Sequence, residues 1–193
     1  MKKIIAGILA AASIFAVSPA FAEPFQGPYV GVEAGWNRDS IHGANTDIGH
    51  LDVRESSDAF VGGAFVGYDH KVTSDIVIGA EASFDIAASD QARSGPNLID
   101  PNYSFDVSAR AGYLVTPTTL LYVRGGYENA RARVSNGVEN GHDTFDGWSV
   151  GGGIEREVME HVSARLEYRY SDLGSNNSNF DRHQALVGVA YHF

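Results

Sequence analysis

The stretch Ile76-Val-Ile-Gly-Ala-Glu-Ala-Ser-Phe-Asp-Ile-Ala-Ala88 decides the fold. Ile76, Ile78, Ala80, Ala82, Phe84 and Ile86 share one face of an extended chain, and Val77, Gly79, Glu81, Ser83 and Asp85 share the other. A period of two is that of a β-strand, because successive Cβ atoms point to opposite sides of the backbone. On a helix the same residues would scatter around the axis and no apolar stripe would form.

Working outward, three more segments repeat the pattern cleanly. Tyr103, Phe105, Val107, Ala109, Ala111, Tyr113 and Val115 oppose Ser104, Asp106, Ser108, Arg110 and Gly112. Val162, Ala164, Leu166, Tyr168 and Tyr170 oppose Ser163, Arg165, Glu167 and Arg169; Ala185, Val187, Val189, Tyr191 and Phe193 oppose Gln184, Gly188, Ala190 and His192. Four noisier segments are of the same kind: Tyr29 to Asn37, Phe60 to His70, Leu120 to about Val134, and about Asp146 to Val158. Their apolar faces carry Val30, Val32, Ala34 and Trp36; Phe60, Ala64, Val66 and Tyr68; Leu121, Val123, Gly125 and Tyr127; and Trp148, Val150 and Ile154. Glu33, Arg124, Glu128, Ser149, Gly151, Gly153 and Glu155 fall on the opposite faces.

The connections alternate in length. Arg38 to Asp58, Ser89 to Pro101, Ser135 to Phe145 and Asp172 to Asp181 read as long polar loops, whereas Lys71 to Ser74, Thr116 to Thr119 and Glu160 read as tight turns. Eight antiparallel strands with short turns at one end and long loops at the other describe an all-β, up-and-down transmembrane barrel. A soluble eight-stranded barrel or a β-sandwich has the same period. The polar face separates them: a water-facing sheet would carry Lys and Thr, but the only lysine after residue 3 is Lys71, in a turn. Gly, Ser, Glu and Arg dominate instead, as suits a narrow interior where side chains must fit and each charge needs a partner. Aromatics cluster near both ends of the apolar faces, with Trp36, Phe60, Phe84, Tyr103, Trp148 and Tyr170 toward the long loops and Tyr68, Tyr113, Tyr191 and Phe193 toward the turns. Two such girdles mark the edges of a bilayer.

The N-terminus supplies a route to that membrane. Lys2 and Lys3 precede an apolar run from Ile4 to Val17, and Ala20-Phe21-Ala22 has the small-x-small form cut by signal peptidase, so cleavage is expected between Ala22 and Glu23. Residues 1–22 are then a signal peptide and 23–193 a single barrel domain. The apolar run spans about 21 Å as a helix, too short for a hydrocarbon core of about 30 Å. Of 193 residues, 24 are Asp or Glu and 14 Lys or Arg, a charge that disfavours nucleic acid as a partner. Cysteine is absent, which excludes disulfides, thiolate metal sites and a Cys nucleophile.

Three stretches carry a family resemblance. QALVGVAYHF (Gln184 to Phe193), with Val189, Tyr191 and a terminal Phe193, resembles the C-terminal signal by which outer-membrane barrels are recognised for assembly. GWSVGGGIEREV (Gly147 to Val158) and ARLEYRYSDLG (Ala164 to Gly174) are similar to the last strands of small porin-like, opacity-type surface antigens, relatives of the OmpA transmembrane barrel. The resemblance implies a Gram-negative outer-membrane location, contact with outer-membrane lipid and lipopolysaccharide, and insertion by the barrel-assembly machinery.

Four kinds of site can be weighed on the sequence. Glu81, Arg110, Arg124, Glu128, Glu155, Arg165, Glu167 and Arg169 fall on the polar face and form an expected interior charge network, with Glu81 opposite Arg110, and Arg124, Glu155 and Arg165 clustering nearer the turns. Eight strands leave room for side chains but not for a wide pore. A serine hydrolase is disfavoured: His161-Val162-Ser163 is the one His-x-Ser, and it lies at a turn. His42, His50, His142 and His183 match no zinc spacing, so no metal or other cofactor is expected. Arg131 and Arg133, if the parity of their strand continues, reach the outer rim as a lipopolysaccharide contact. The expected role is structural or surface-interactive: envelope integrity, adhesion or recognition through long loops whose extracellular partner the sequence does not name. A narrow porin-like solute channel comes second and a lipid A-modifying enzyme third.

Overall fold

The computed structural model describes the backbone of residues 24–46, 49–88, 92–94, 97–135, 140–173 and 179–193, and the side chains of 24–40, 58–87, 103–130, 145–173 and 181–193. The expected signal segment and cleavage site, with Ala20, Ala22 and Glu23, lie outside them. The strands are β1 (Gly27–Thr46), β2 (Gly49–Lys71), β3 (Ile76–Ala88), β4 (Ala92–Ser94), β5 (Asn97–Thr116), β6 (Thr119–Ser135), β7 (Asn140–Met159), β8 (Val162–Asp172) and β9 (Asn179–His192). Every pairing is antiparallel between chain neighbours, and two further pairings close the sheet, β1 with β9 and β3 with β5. The result is a closed eight-stranded barrel with no edge; β4 is a three-residue addition beyond the wall, paired to the far end of β5.

Face parity follows the alternation of the sequence in all eight wall strands. Val32 is 62% exposed where its neighbour Glu33 is 4% exposed, and Val123 is 64% exposed where Arg124 is 4%. That contrast is inverted relative to a water-soluble protein: the apolar side chains face outward and the charges are enclosed. Only a membrane around the wall makes the arrangement stable, since a closed barrel satisfies its backbone internally and presents hydrocarbon to lipid. Aromatic rings touch at the ends of the band: across strands at one end, with Trp36–Phe60, Phe84–Tyr103 and Trp148–Tyr170 centroids 5.0, 5.7 and 5.5 Å apart, and along the end of β9 at the other, with Tyr191–Phe193 5.1 Å apart.

The turns match their expected lengths, but the loops do not. β5 and β6 are joined by Pro117 and Thr118, and β7 and β8 by Glu160 and His161, the latter with a left-handed φ of 66°. At the opposite end the strands run far past the apolar band. β2 has 23 residues and β1 has 20, against the roughly 9–11 that cross a bilayer, so most of Arg38 to Asp58 is hairpin rather than loop. The ladder is made by backbone groups and is indifferent to side-chain polarity. Loss of apolar alternation therefore marks where lipid ends, not where the strand ends.

The turn end of the barrel is sealed by the residues just before β1. Phe25, at φ 59°, turns into the mouth and packs with Val77, Leu114, Leu120 and Tyr122. Gln26 fixes it, accepting a hydrogen bond from the Lys71 backbone N–H at 2.7 Å, and the Phe193 N–H bonds the Pro28 carbonyl at 3.0 Å.

Candidate functional site: the charged lumen

Above the apolar plug the lumen is filled by ion pairs in tiers. The lowest is held by Arg110, whose Nε donates to Asp69 Oδ1 at 2.8 Å while Nη2 bonds the other carboxylate oxygen. Its Nη1 donates to Glu155 Oε2 at 2.9 Å. The guanidinium also stacks over two rings, 4.7 Å from the Tyr29 centroid and 5.2 Å from that of Tyr122. The middle tier centres on Glu81. Arg124 Nη1 and Arg165 Nη1 each donate to it at 2.7 Å, and the Tyr29 hydroxyl donates at 2.9 Å. Arg165 continues to Glu33, Arg124 to Asp106 and to Glu167 at 3.2 Å, and Arg169 joins Glu167 at 2.8 Å, Glu33 at 3.3 Å and Asp85 at 3.3 Å. The upper tier is Arg182, held by Asp39 through Nε and Nη2 at 2.9 and 3.0 Å and by Glu128 through Nη1 at 2.9 Å.

Glycines on the lumen face make room for this. Gly79 is the backbone partner of both Asp69 and Arg110. A Cβ there would strike the Asp69 carboxylate and lie 3.3 Å from Arg110 Cγ. Gly188 sits likewise between Glu33 and Arg165, and its Cβ would press the Arg165 side chain at 3.0–3.1 Å. Long side chains therefore lie flat across an empty position to reach a partner two strands away.

All eight network residues named from sequence are enclosed, but their pairing differs from the expectation. Arg110 closes on Asp69 and Glu155, and Glu81 Oε2 lies 3.9 Å from Arg110 Nη1. The reason is that Arg110 stands level with Gly79, not with Glu81, whose backbone partner is Ser108. Arg124, Glu155 and Arg165 do not form one cluster: Glu155 belongs to the lower tier, Arg124 and Arg165 to the middle one. Asp69, Asp39 and Arg182 were missed, and Glu33, Asp85 and Asp106, placed on polar faces but not named in the network, belong to it as well. Continuing the lumen parity past Gly67 and outward from Gln184 would have found Asp69 and Arg182.

Ser163, His192 and Glu155 meet near the turn end. Ser163 Oγ donates to Glu155 Oε1 at 2.5 Å and lies 3.0 Å from His192 Nε2, which is itself 3.2 Å from Glu155 Oε1. In a nucleophilic triad the carboxylate holds the far ring nitrogen and the serine gives its proton to the imidazole. Here serine and carboxylate crowd the same nitrogen, Nδ1 has no hydrogen-bond partner, and all three residues are buried. The contact fills space and satisfies Glu155. His183 lies at the wall exterior, where Tyr168 Oη is 2.7 Å from its Nδ1. The side chains of His42, His50 and His142, and those of Arg131 and Arg133, are outside the described residues. Among the described residues, no group of three His, Cys, Asp or Glu is placed to hold a metal.

A family model described as outer membrane protein beta-barrel domain matches residues 7–193. Among characterised proteins, the 25 kDa outer-membrane immunogenic protein of Brucella ovis is 25% identical over 173 residues, covering 90% of this chain and 78% of its own. A 22 kDa outer membrane protein of Rhizobium leguminosarum bv. viciae is 28% identical over 218 residues, with both chains fully covered. Among solved structures, Neisserial surface protein A superposes with a TM-score of 0.59 at 20% identity, over 87% of this chain and 98% of its own. Ail, the attachment invasion locus protein of Yersinia pestis, superposes at 0.53 and 17% identity, over 87% and 99%. These two likenesses are of fold.

Proposed function

Because this chain belongs to the outer membrane protein beta-barrel domain family, and so is an outer-membrane barrel of the surface-antigen type, we propose that it is a non-conducting scaffold that serves envelope integrity, adhesion or recognition through its projecting hairpins. The observation that carries the reading is the ion-paired lumen. Arg110, Arg124, Arg165, Arg169 and Arg182 are each engaged by at least two carboxylates, so the described interior is a packed core. What remains for function is the outside: a lipid-facing wall and strands that carry polar sequence well beyond the bilayer, where recognition on rigid scaffolds is usually placed. The Brucella relative is named as immunogenic, in keeping with a surface that meets other molecules.

In this reading residues 1–22 direct export and are removed after Ala22, Val189, Tyr191 and Phe193 present the strand end to the barrel-assembly machinery, and Arg131 and Arg133 contact lipopolysaccharide phosphates. The chain acts without catalysis, in line with the serine arrangement above. Since the sequence has no cysteine, single cysteines test the orientation without background. Asn177→Cys should react with a membrane-impermeant maleimide on intact cells and Val72→Cys only after the outer membrane is opened. A deletion strain should leak periplasmic content or lose surface attachment. Labelling of Val72→Cys but not Asn177→Cys on intact cells, or a deletion strain unchanged in both respects, would overturn the reading. A narrow solute channel is the alternative, and stable conductance of the purified barrel in a planar bilayer would favour it.

A further inference from the structure

High in the lumen, between β1/β9 on one side and β3/β5 on the other, lies a small enclosed cavity bordered by Asn37, Asp85, Ser104, Arg182 and Gln184. Its room for the centre of a water-sized sphere is ≈ 10 Å³, enough for a single occupant. Asn37 and Gln184 are backbone partners across the β1–β9 pair, and each is 1% exposed. Neither Asn37 Oδ1, Asp85 Oδ1 nor the Gln184 amide group has a hydrogen-bond partner, although all are buried. Buried amide and carboxylate oxygens without partners are costly to desolvate, and here three of them border one small space.

Charge says what belongs there. The described lumen encloses nine carboxylates and five guanidinium groups. Eight of those carboxylates meet a guanidinium within 3 Å or several at once, or have added hydroxyl donors. Asp85 is the exception: its one guanidinium contact is Arg169 Nη1 at 3.3 Å, on an arginine it shares with Glu33 and Glu167. Glu33, within hydrogen-bonding reach of it, and Glu128 crowd further acidic groups beside it. Arg182 borders the cavity, but its Nε, Nη1 and Nη2 are directed to Asp39 and Glu128.

We propose that Asp85 Oδ1, Asn37 Oδ1 and Gln184 Oε1 bind one desolvated monovalent alkali cation, which offsets part of the carboxylate excess of the upper lumen. One carboxylate and two amide carbonyls suit a singly charged, oxygen-seeking ion; a divalent ion would call for more carboxylates, and a nitrogen- or sulfur-seeking metal has no ligand here. The cation acts as a structural plug between β1 and β9 on one side and β3 on the other. The proposal is independent of the surface role above.

The probe is thallium(I), which substitutes for potassium and scatters anomalously. Crystals of the full barrel grown in a thallium(I) salt should show a single anomalous peak in this cavity within coordination distance of the three oxygens, absent in Asp85→Asn. In solution, the wild type in potassium chloride should have an unfolding equilibrium constant roughly tenfold lower than in tetramethylammonium chloride of equal ionic strength, when potassium is about ten times its dissociation constant. Asp85→Asn should abolish the difference. Should that variant fail to fold, Gln184→Leu, which removes a neutral ligand, should reduce it. A cavity holding only water, a proton shared between Asp85 and Glu33 with no thallium(I) peak, or wild-type stability indifferent to cation size would overturn the proposal.

Discussion

Arg110 reaches across Gly79 to grip Asp69 with two of its nitrogens, the Nε–Oδ1 bond being 2.8 Å long. The two residues lie on strands that are not neighbours, and the bridge exists because the strand between them offers no side chain. Removing the guanidinium would leave Asp69 and Glu155 enclosed and uncompensated. Arg110→Ala should therefore cost roughly 3–5 kcal/mol, while Arg110→Met with Asp69→Leu should be milder than Arg110→Ala. Urea unfolding in lipid vesicles, read by the mobility difference between folded and unfolded barrel on gels, would check this. A double variant as unstable as the sum of the singles would remove the pairing.

Gly79 gives the same bridge a steric test. Gly79→Val would place methyl groups in the Asp69 carboxylate and against Arg110 Cγ. It should approach the effect of Arg110→Ala, although valine is a better strand former than glycine. By contrast Gly125→Val, on the lipid face, where a Cβ has its nearest contact at 3.8 Å, should be neutral or stabilising in the same assay.

The two faces of one strand should respond oppositely to charge. Val107 is 48% exposed to lipid and its neighbour Ser108 4% exposed, inside the lumen, where it accepts a 2.6 Å bond from Arg124. Val107→Arg should cost roughly 2–4 kcal/mol at mid-membrane, and Val187→Arg a similar amount. Ser108→Ala should cost about 1 kcal/mol, the net worth of a hydrogen bond. Equal tolerance on the two faces, measured by the same unfolding, would contradict the wall assignment.

Much of the wall was legible because lipid and lumen impose opposite demands on alternate residues, so parity at Ile76–Ala88 or Tyr103–Val115 is written into side-chain polarity. Pairing was not. Which guanidinium meets which carboxylate depends on the register between strands two apart, and Arg110 meets Asp69 because both stand level with Gly79. Strand length was hidden for a different reason. Ser40, Asp58 and Asp181 extend the ladder as well as valine does, but polarity reads there as loop. Phe25 gave no period at all, because it belongs to a plug and not to a strand.

That plug yields its own expectation. Phe25 is 1% exposed, edge-on to the His192 ring with centroids 5.8 Å apart. Phe25→Ala should destabilise by about 3–5 kcal/mol if the mouth stays dry, yet leave the barrel non-conducting, since the ionic tiers above are untouched. A stable conductance in Phe25→Ala would place the seal in the plug alone.

Glu81 decides between a core and a gate. Arg124 and Arg165 donate to it at 2.7 Å, Arg110 stands 3.9 Å away, and Tyr29 adds its hydroxyl. If the lumen is a packed ionic core, Glu81→Gln keeps the shape but leaves three guanidinium groups around a neutral amide. Their mutual repulsion in a low-dielectric interior should cost roughly 3–5 kcal/mol, with no conductance in the wild type. If instead the pairs exchange partners to open a path, wild-type recordings should show discrete openings and Glu81→Gln should lengthen them, because the repelled arginines would be driven apart. Unfolding midpoints and planar-bilayer currents on the same two proteins separate the outcomes: a large loss of stability without currents supports the core, and currents that Glu81→Gln prolongs support the gate.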